Sequence, residues 1–103
     1  MDMVFDKPIE IQKYDEDTRD WLPHWMLHAH VNKTKGDEYS KAGSERSVQT
    51  LRFTVRYFKA LAEIQCNTQD FRIVFGGNVY NVVDYDDYAF MGETVKLVGE
   101  SYG

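Results

Sequence analysis

Apolar and polar residues alternate with a period of two at several places along the chain, and helical periodicity is nearly absent. The clearest stretch is QTLRFTVRYF, where Leu51, Phe53, Val55 and Tyr57 fall on one side. Thr50, Arg52, Thr54 and Arg56 fall on the other. Side chains alternate across a pleated strand, so this predicts a half-buried strand with a polar outer face. DFRIVFGGNVYNVVDY predicts a hairpin around Gly76-Gly77-Asn78, residues that accept the positive φ of a tight reversal. Phe71, Ile73 and Phe75 share one face, with Val79 and Val83 expected to join them across the turn. Val74, Tyr80 and Val82 are then apolar on the opposite face. That pattern implies a hairpin covered on both sides, by a second layer or by a neighbouring subunit.

Three further runs read as strands. PIEIQKY alternates Ile9 and Ile11 against Glu10 and Gln12. HWMLHAHV places Trp25, Leu27, Ala29 and Val31 inward, and Pro23, which cannot donate to a ladder, marks the strand's start or an edge. ETVKLVG sets Val95 and Leu97 against Thr94, Lys96 and Val98. Helix is confined to YFKALAEI, with Phe58, Leu61 and Ala62 packing down, and to DEYSKA; helices so short need tertiary support. The long polar stretch Asn32–Val48 is rich in Lys, Glu, Ser and Gly, and a segment of that length is expected to be a functional or mobile loop. Five or six short strands at fairly regular spacing predict an all-β (mainly) domain, a small antiparallel barrel or sandwich, spanning residues 1–103 as one unit.

Composition narrows the partners. Hydrophobic residues make up 43 % and aromatic residues 15 %, enough for a core without staples. Lys and Arg number 12 against 17 Asp and Glu, a net charge of −5 that repels phosphate. This argues against a surface that grips nucleic acid, though not against a protein that surrounds DNA without holding it. Cys66 is the only cysteine, which excludes an intrachain disulfide and four-cysteine zinc ribbons and suits a reducing compartment. Met1–Asp6 lacks the pattern of a signal peptide, and no apolar run reaches the ~18 residues of a membrane helix. A soluble chain made in the cytoplasm, with no membrane partner, is expected.

Candidate chemistry is sparse. VVDYDDY gathers Asp84, Asp86 and Asp87, and two carboxylates on one strand face can hold a divalent cation or share a proton. A calcium loop needs more oxygen ligands in fixed order and a Gly at its bend, which this stretch lacks. The alternative is the solvent end of a hairpin, where Asp stabilises turns. His24, His28 and His30 share a face with Met26 if the strand is regular, a workable zinc pair without an obvious further ligand. Cys66, within IQCNTQ, carries no catalytic signature and is expected to be a small buried hydrophobe. FGGN is turn chemistry rather than a phosphate loop. Arg46, Arg52, Arg56 and Arg72 lie on or beside strands near aromatics, as a stacking surface for single strands would; ion pairs between subunits explain them equally well. No catalytic residue, metal or cofactor is expected.

Taken in order, five segments resemble the phage head–tail joining family, the head-closure or stopper adaptors of long-tailed phages and prophages. PIEIQKYDEDTRDW resembles its opening strand and acidic turn. MLHAHVNKTKGDEYSKAG resembles its segment with Gly36, Glu38 and Tyr39 at the signature spacing. LRFTVRYF matches through Phe53, Val55, Arg56 and Tyr57, FRIVFGGNVYNVVDYDD through Arg72, Ile73, Gly77, Tyr80 and Val82, and TVKLVGES resembles the closing strand. Where the family often has Asp-Gly at the hairpin, this chain has Gly76-Gly77-Asn78.

The resemblance implies a small antiparallel β-barrel of about six strands, with one short helix and a long loop after the second strand. It implies a non-enzymatic virion protein that assembles as a homo-oligomeric ring beneath the portal. Such a ring meets a portal-side adaptor on one face and a tail-completion or tail-tube protein on the other, and packaged DNA passes through it without sequence-specific binding. The family's channel loop falls at residues 32–48, with candidates Lys33, Lys35, Gly36, Asp37, Glu38, Tyr39, Lys41, Glu45 and Arg46. Candidate assembly residues are Arg52, Arg56, Arg72, Tyr80, Tyr85, Asp86, Asp87 and Tyr88, since tyrosines bury area while keeping a polar tip. A tail-completion or terminator ring protein, a small nucleic-acid-binding barrel and a metal-dependent enzyme are the competing readings.

Overall fold

The computed structural model describes residues 4–33, 48–87 and 93–102. Six antiparallel strands form one sheet that closes on itself: β1 (Lys7–Asp15), β2 (Asp20–Lys33), β3 (Val48–Arg56), β4 (Phe71–Phe75), β5 (Asn78–Asp86) and β6 (Thr94–Tyr102). The order around the barrel is β1-β2-β3-β6-β5-β4, and β1 returns to β4 through Glu10–Lys13. Every strand contributes its alternate apolar residues to one core, with Ile9, Ile11, Ala29, Phe53, Ile73, Tyr80, Val82 and Leu97 all buried. Phe53 stands at its centre, edge-on to Phe75 and Tyr80 at ring separations of 5.8 and 5.5 Å. Gly99, opposite Leu51 and Val82, leaves room for them; a Cβ there would lie 2.8 Å from Tyr80 Cβ.

The hairpin forms where the sequence predicts it, but its register differs. Gly76 and Gly77, with φ of +59° and +82°, are the only two turn residues, and Phe75 faces Asn78 directly. Positive φ at both central positions is the type I′ geometry that matches strand twist. Counting Asn78 into the strand shifts parity by one. Ile73 therefore pairs with Tyr80, so Tyr80 and Val82 enter the core while Val79 and Val83 face outward. Further along β5, a bulge leaves Val83 unpaired between Val82↔Gly99 and Asp84↔Val98. One extra residue reverses the alternation, which turns Tyr85 inward opposite Leu97 and sends Asp84 and Asp86 outward.

A second bulge falls in β2. Ile11 pairs with Trp25 and Gln12 with Pro23, leaving His24 as the extra residue. Pro23 thus sits inside β2 and not at its start, which leaves the edge alternative, in the half of the strand that pairs only with β1 among the described residues. The predicted helix is a 3₁₀ helix, Lys59–Ile64, followed by a second at Thr68–Asp70. With three residues per turn, positions 58, 61 and 64 share a face, so Leu61 and Ile64 are buried and Ala62, expected to pack down, is exposed. Cys66, expected to be buried, is exposed in the turn that follows. Thr50 and Thr54 are also buried, at 5 % and 1 % exposure, although they lie on the polar face of β3. A threonine is short enough to be covered by longer neighbours; Thr54 lies between His30 and Lys96 in register. The DEYSKA helix and most of the loop over 32–48 lie outside the described residues.

Candidate assembly surface

The long acidic turn between β1 and β2 is built by its own side chains. Asp15 Oδ2 accepts from the Thr18 hydroxyl at 2.9 Å and from its backbone N–H at 3.3 Å, and Asp20 Oδ1 accepts from Trp21 N–H at 2.8 Å. Such local bonds favour turns over continued strand. Arg19 takes a left-handed conformation, φ +57°, to close the reversal. Asp15, Glu16 and Asp17 line one shallow surface with Lys13 and Asp70, and Asp20 follows at the start of β2.

Below this tip the charges are tied down within the chain. Arg72 Nε donates to Gln12 Oε1 at 2.7 Å and its guanidinium lies 4.6 Å from the Trp21 ring centre, while Trp21 meets Tyr14 edge-on at 5.4 Å. Lys13 hydrogen-bonds Glu63, which also meets His24 Nε2 at 3.3 Å. The Lys13 bond, more than any other influence, holds the Glu63 carboxyl below its usual range and raises the Lys13 ammonium. The bulge directs His24 to this pair and away from His28 and His30; His30 Nδ1 contacts Val4 O at 3.1 Å. Among the described residues no three His, Cys, Asp or Glu side chains converge as metal ligands, and no helix is long and apolar enough to cross a membrane.

The sequence-derived candidates separate into distinct places. Lys33 ends β2, exposed and paired with Leu51, while Lys35, Gly36, Asp37, Glu38, Tyr39, Lys41, Glu45, Arg46 and Tyr88 lie outside the described residues. Arg52 and Arg56 are exposed on the outer face of β3, and Arg56 stacks on Phe5 at 4.5 Å. Arg72 is engaged internally. Tyr80 is corrected from surface to core: at 2 % exposure, with its hydroxyl donating to Gln49 at 3.3 Å, it has nothing left to offer a partner. Tyr85 is half-buried, and burial first, then Asp87 and Tyr57, raises its phenol. Asp86 is exposed opposite Lys96.

One surface escaped the sequence reading. β3 pairs with β2 only from His30 to Lys33, so residues 20–29 have β1 as their sole strand neighbour among the described residues. The gap is an open groove of about 570 Å³ lined by Phe5, Met26, Val55, Arg56, Tyr57 and Phe58, among others. Met26 is 70 % exposed at its rim. Strand-by-strand alternation carries no signal for where two long strands diverge.

This architecture and its order of elements agree with a family model described as phage head completion protein, which matches residues 4–100. The chain belongs to the phage head completion protein family. A head completion protein is a structural component of the phage particle, so the place of this chain is the virion. A search of the curated proteins found no match. Among solved structures, a chain from "Virion of native gene transfer agent (GTA) particle" superposes with a TM-score of 0.68 at 13 % identity, covering 99 % of this chain and 98 % of that one. At that identity the likeness establishes a shared fold, the closed six-stranded barrel.

Proposed function

We propose that the protein is a non-enzymatic head-closure component, a stopper that assembles as a ring of identical copies below the portal. It retains packaged DNA and presents the docking surface for the tail. The family match over residues 4–100 carries this reading. Physical features support it. A net charge of −5 lets the duplex slide past without adhering. Among the described residues, apolar side chains lie exposed on faces that no strand covers, Met26 and Val83 among them, as in a protein that buries surface only on assembly. Its partners are further copies of itself, a portal-side adaptor and a tail-completion or tail-tube protein, with no membrane. The residues of the loop over 32–48, with Lys33 at its start, are the proposed channel-facing element. Arg52, Arg56 and Asp86 are the proposed assembly residues that the described surface leaves accessible.

Particles assembled without this protein test the reading. The expected product is filled heads that lose their genome and carry no tails, restored by supplying the protein. Normal maturation of such particles would contradict it.

A further inference from the structure

Two groups of described charges lack an ion pair. Asp15, Glu16, Asp17 and Asp20 at the β1–β2 tip make no ion pair among the described residues, and Leu22 beside them is an exposed apolar side chain. Lys33, Arg52, Arg56 and Lys59 likewise make no ion pair there, and all four lie at the far end of β2, on the outer face of β3, or at the start of the first 3₁₀ helix. Lys33 and Arg52 are separated from the tip by most of β2, Arg52 standing level with Asn32, twelve residues from Asp20 and roughly 40 Å along a strand; Arg56 and Lys59 follow Thr54 back along the open half of β2. Of these cations Arg56 lines the groove beside Met26, next to the half of β2 that has no second strand neighbour among the described residues. Val4 and Phe5 reach this seam through His30 and Arg56, but no described strand pairs with that edge, and an unpaired strand edge with apolar residues beside it is a surface that proteins normally cover.

A rotationally closed ring requires each copy to carry two different, mutually complementary patches. We propose that the acidic β1–β2 tip of one copy seats in the groove between β2 and β3 of the next. The tip carboxylates then face Arg56 and Lys59, with Leu22 against Met26. This deepens the ring reading and rests on it. The match of opposite signs selects a second copy over an acidic or basic partner, because both halves of the contact are present on one chain. Complementary charge of this kind governs encounter and register more than final affinity, so the contact forms faster at low salt.

Photo-crosslinking in assembled particles tests it directly, with a crosslinking side chain at Met26 of the full chain. Products joining Met26 of one copy to Tyr14–Leu22 of another support the proposal. Copy-to-copy products that land elsewhere overturn it and leave the ring intact; the absence of any copy-to-copy product also overturns it. Counting copies per particle by quantitative mass spectrometry separates the two readings, because a single copy would sink the ring itself. Charge exchange provides an independent arm. Arg56→Glu and Asp17→Lys should each lower incorporation about tenfold, and the double variant should recover most of it. Asp17 lies in an exposed turn, so its single variant remains folded and informative; two additive losses without recovery would count against the pairing.

Discussion

From β3 through β6 to β5 the barrel wall is held by long ladders, whereas between β2 and β3 it is joined at one end only. Val48–Arg56 pairs with Thr94–Tyr102 along its whole length, and Asn81–Asp86 continues the wall on the far side of β6. Inside that arc the side chains interlock: Phe53 and Tyr80 close over Gly99, with no room for a Cβ. Across the seam, β2 and β3 share His30–Lys33 and then diverge around an open groove. The difference teaches where stability and assembly reside. The closed arc fixes the fold, and the seam leaves apolar surface and a strand edge that no described strand covers, which is where the proposed assembly contact falls.

Substitutions can break or sharpen this contrast. In the arc, Phe53→Ala removes a fully buried ring and should cost about 4 kcal/mol in denaturant unfolding, enough to unfold much of a marginally stable domain. Gly99→Val forces atoms against Tyr80 Cβ and Phe53 Cε2, at 2.8 and 3.2 Å, and should cost about 2 kcal/mol; a change below 0.5 kcal/mol would show the arc to be looser than described. Gly77→Ala places a Cβ at φ +82° and should cost about 1 kcal/mol without altering the core.

Lys13→Gln is expected to cost about 0.5 kcal/mol, since both partners are more than a third exposed. Its pH dependence follows from the two shifts. Glu63 has a lowered value, so its contribution is present above the ordinary 4.5 and is lost as pH falls through the folded value. Lys13 has a raised value, so its contribution is present below 10.5 and is lost as pH rises through the folded value. The gap between wild type and variant should therefore be flat between those limits and narrow at both ends. At the seam, Met26→Ser should shift the unfolding midpoint least of all, by under about 0.5 kcal/mol, while reducing incorporation into particles. A large loss of stability there would place Met26 in the fold rather than in assembly.

The β3–β6 half of the arc was the legible part. Leu51, Phe53 and Val55, and later Val95 and Leu97, alternate cleanly, and their strands pair without interruption. Reading failed where one residue changes parity. The two-residue Gly76-Gly77 turn moved Tyr80 from surface to core, and the Val83 bulge turned Tyr85 inward. A bulge has no composition signal of its own, because it depends on what the partner strand does. The helix type was obscured by the similarity of 3- and 3.6-residue spacing over six residues, which decided between Ile64 and Ala62. The groove was invisible because it exists only where β2 and β3 separate. The acidic turn entered only through the resemblance of PIEIQKYDEDTRDW, although the Asp15–Thr18 and Asp20–Trp21 bonds that build it are local.

The most direct measurement uses DNA-filled, tailless heads prepared without the protein. Adding the purified chain should place multiple copies at the portal vertex, seen by electron microscopy, and should render the genome resistant to nuclease. Binding to isolated tail tubes in place of those heads, with the genome still digested, would contradict the assignment to head closure and favour a tail-terminating ring.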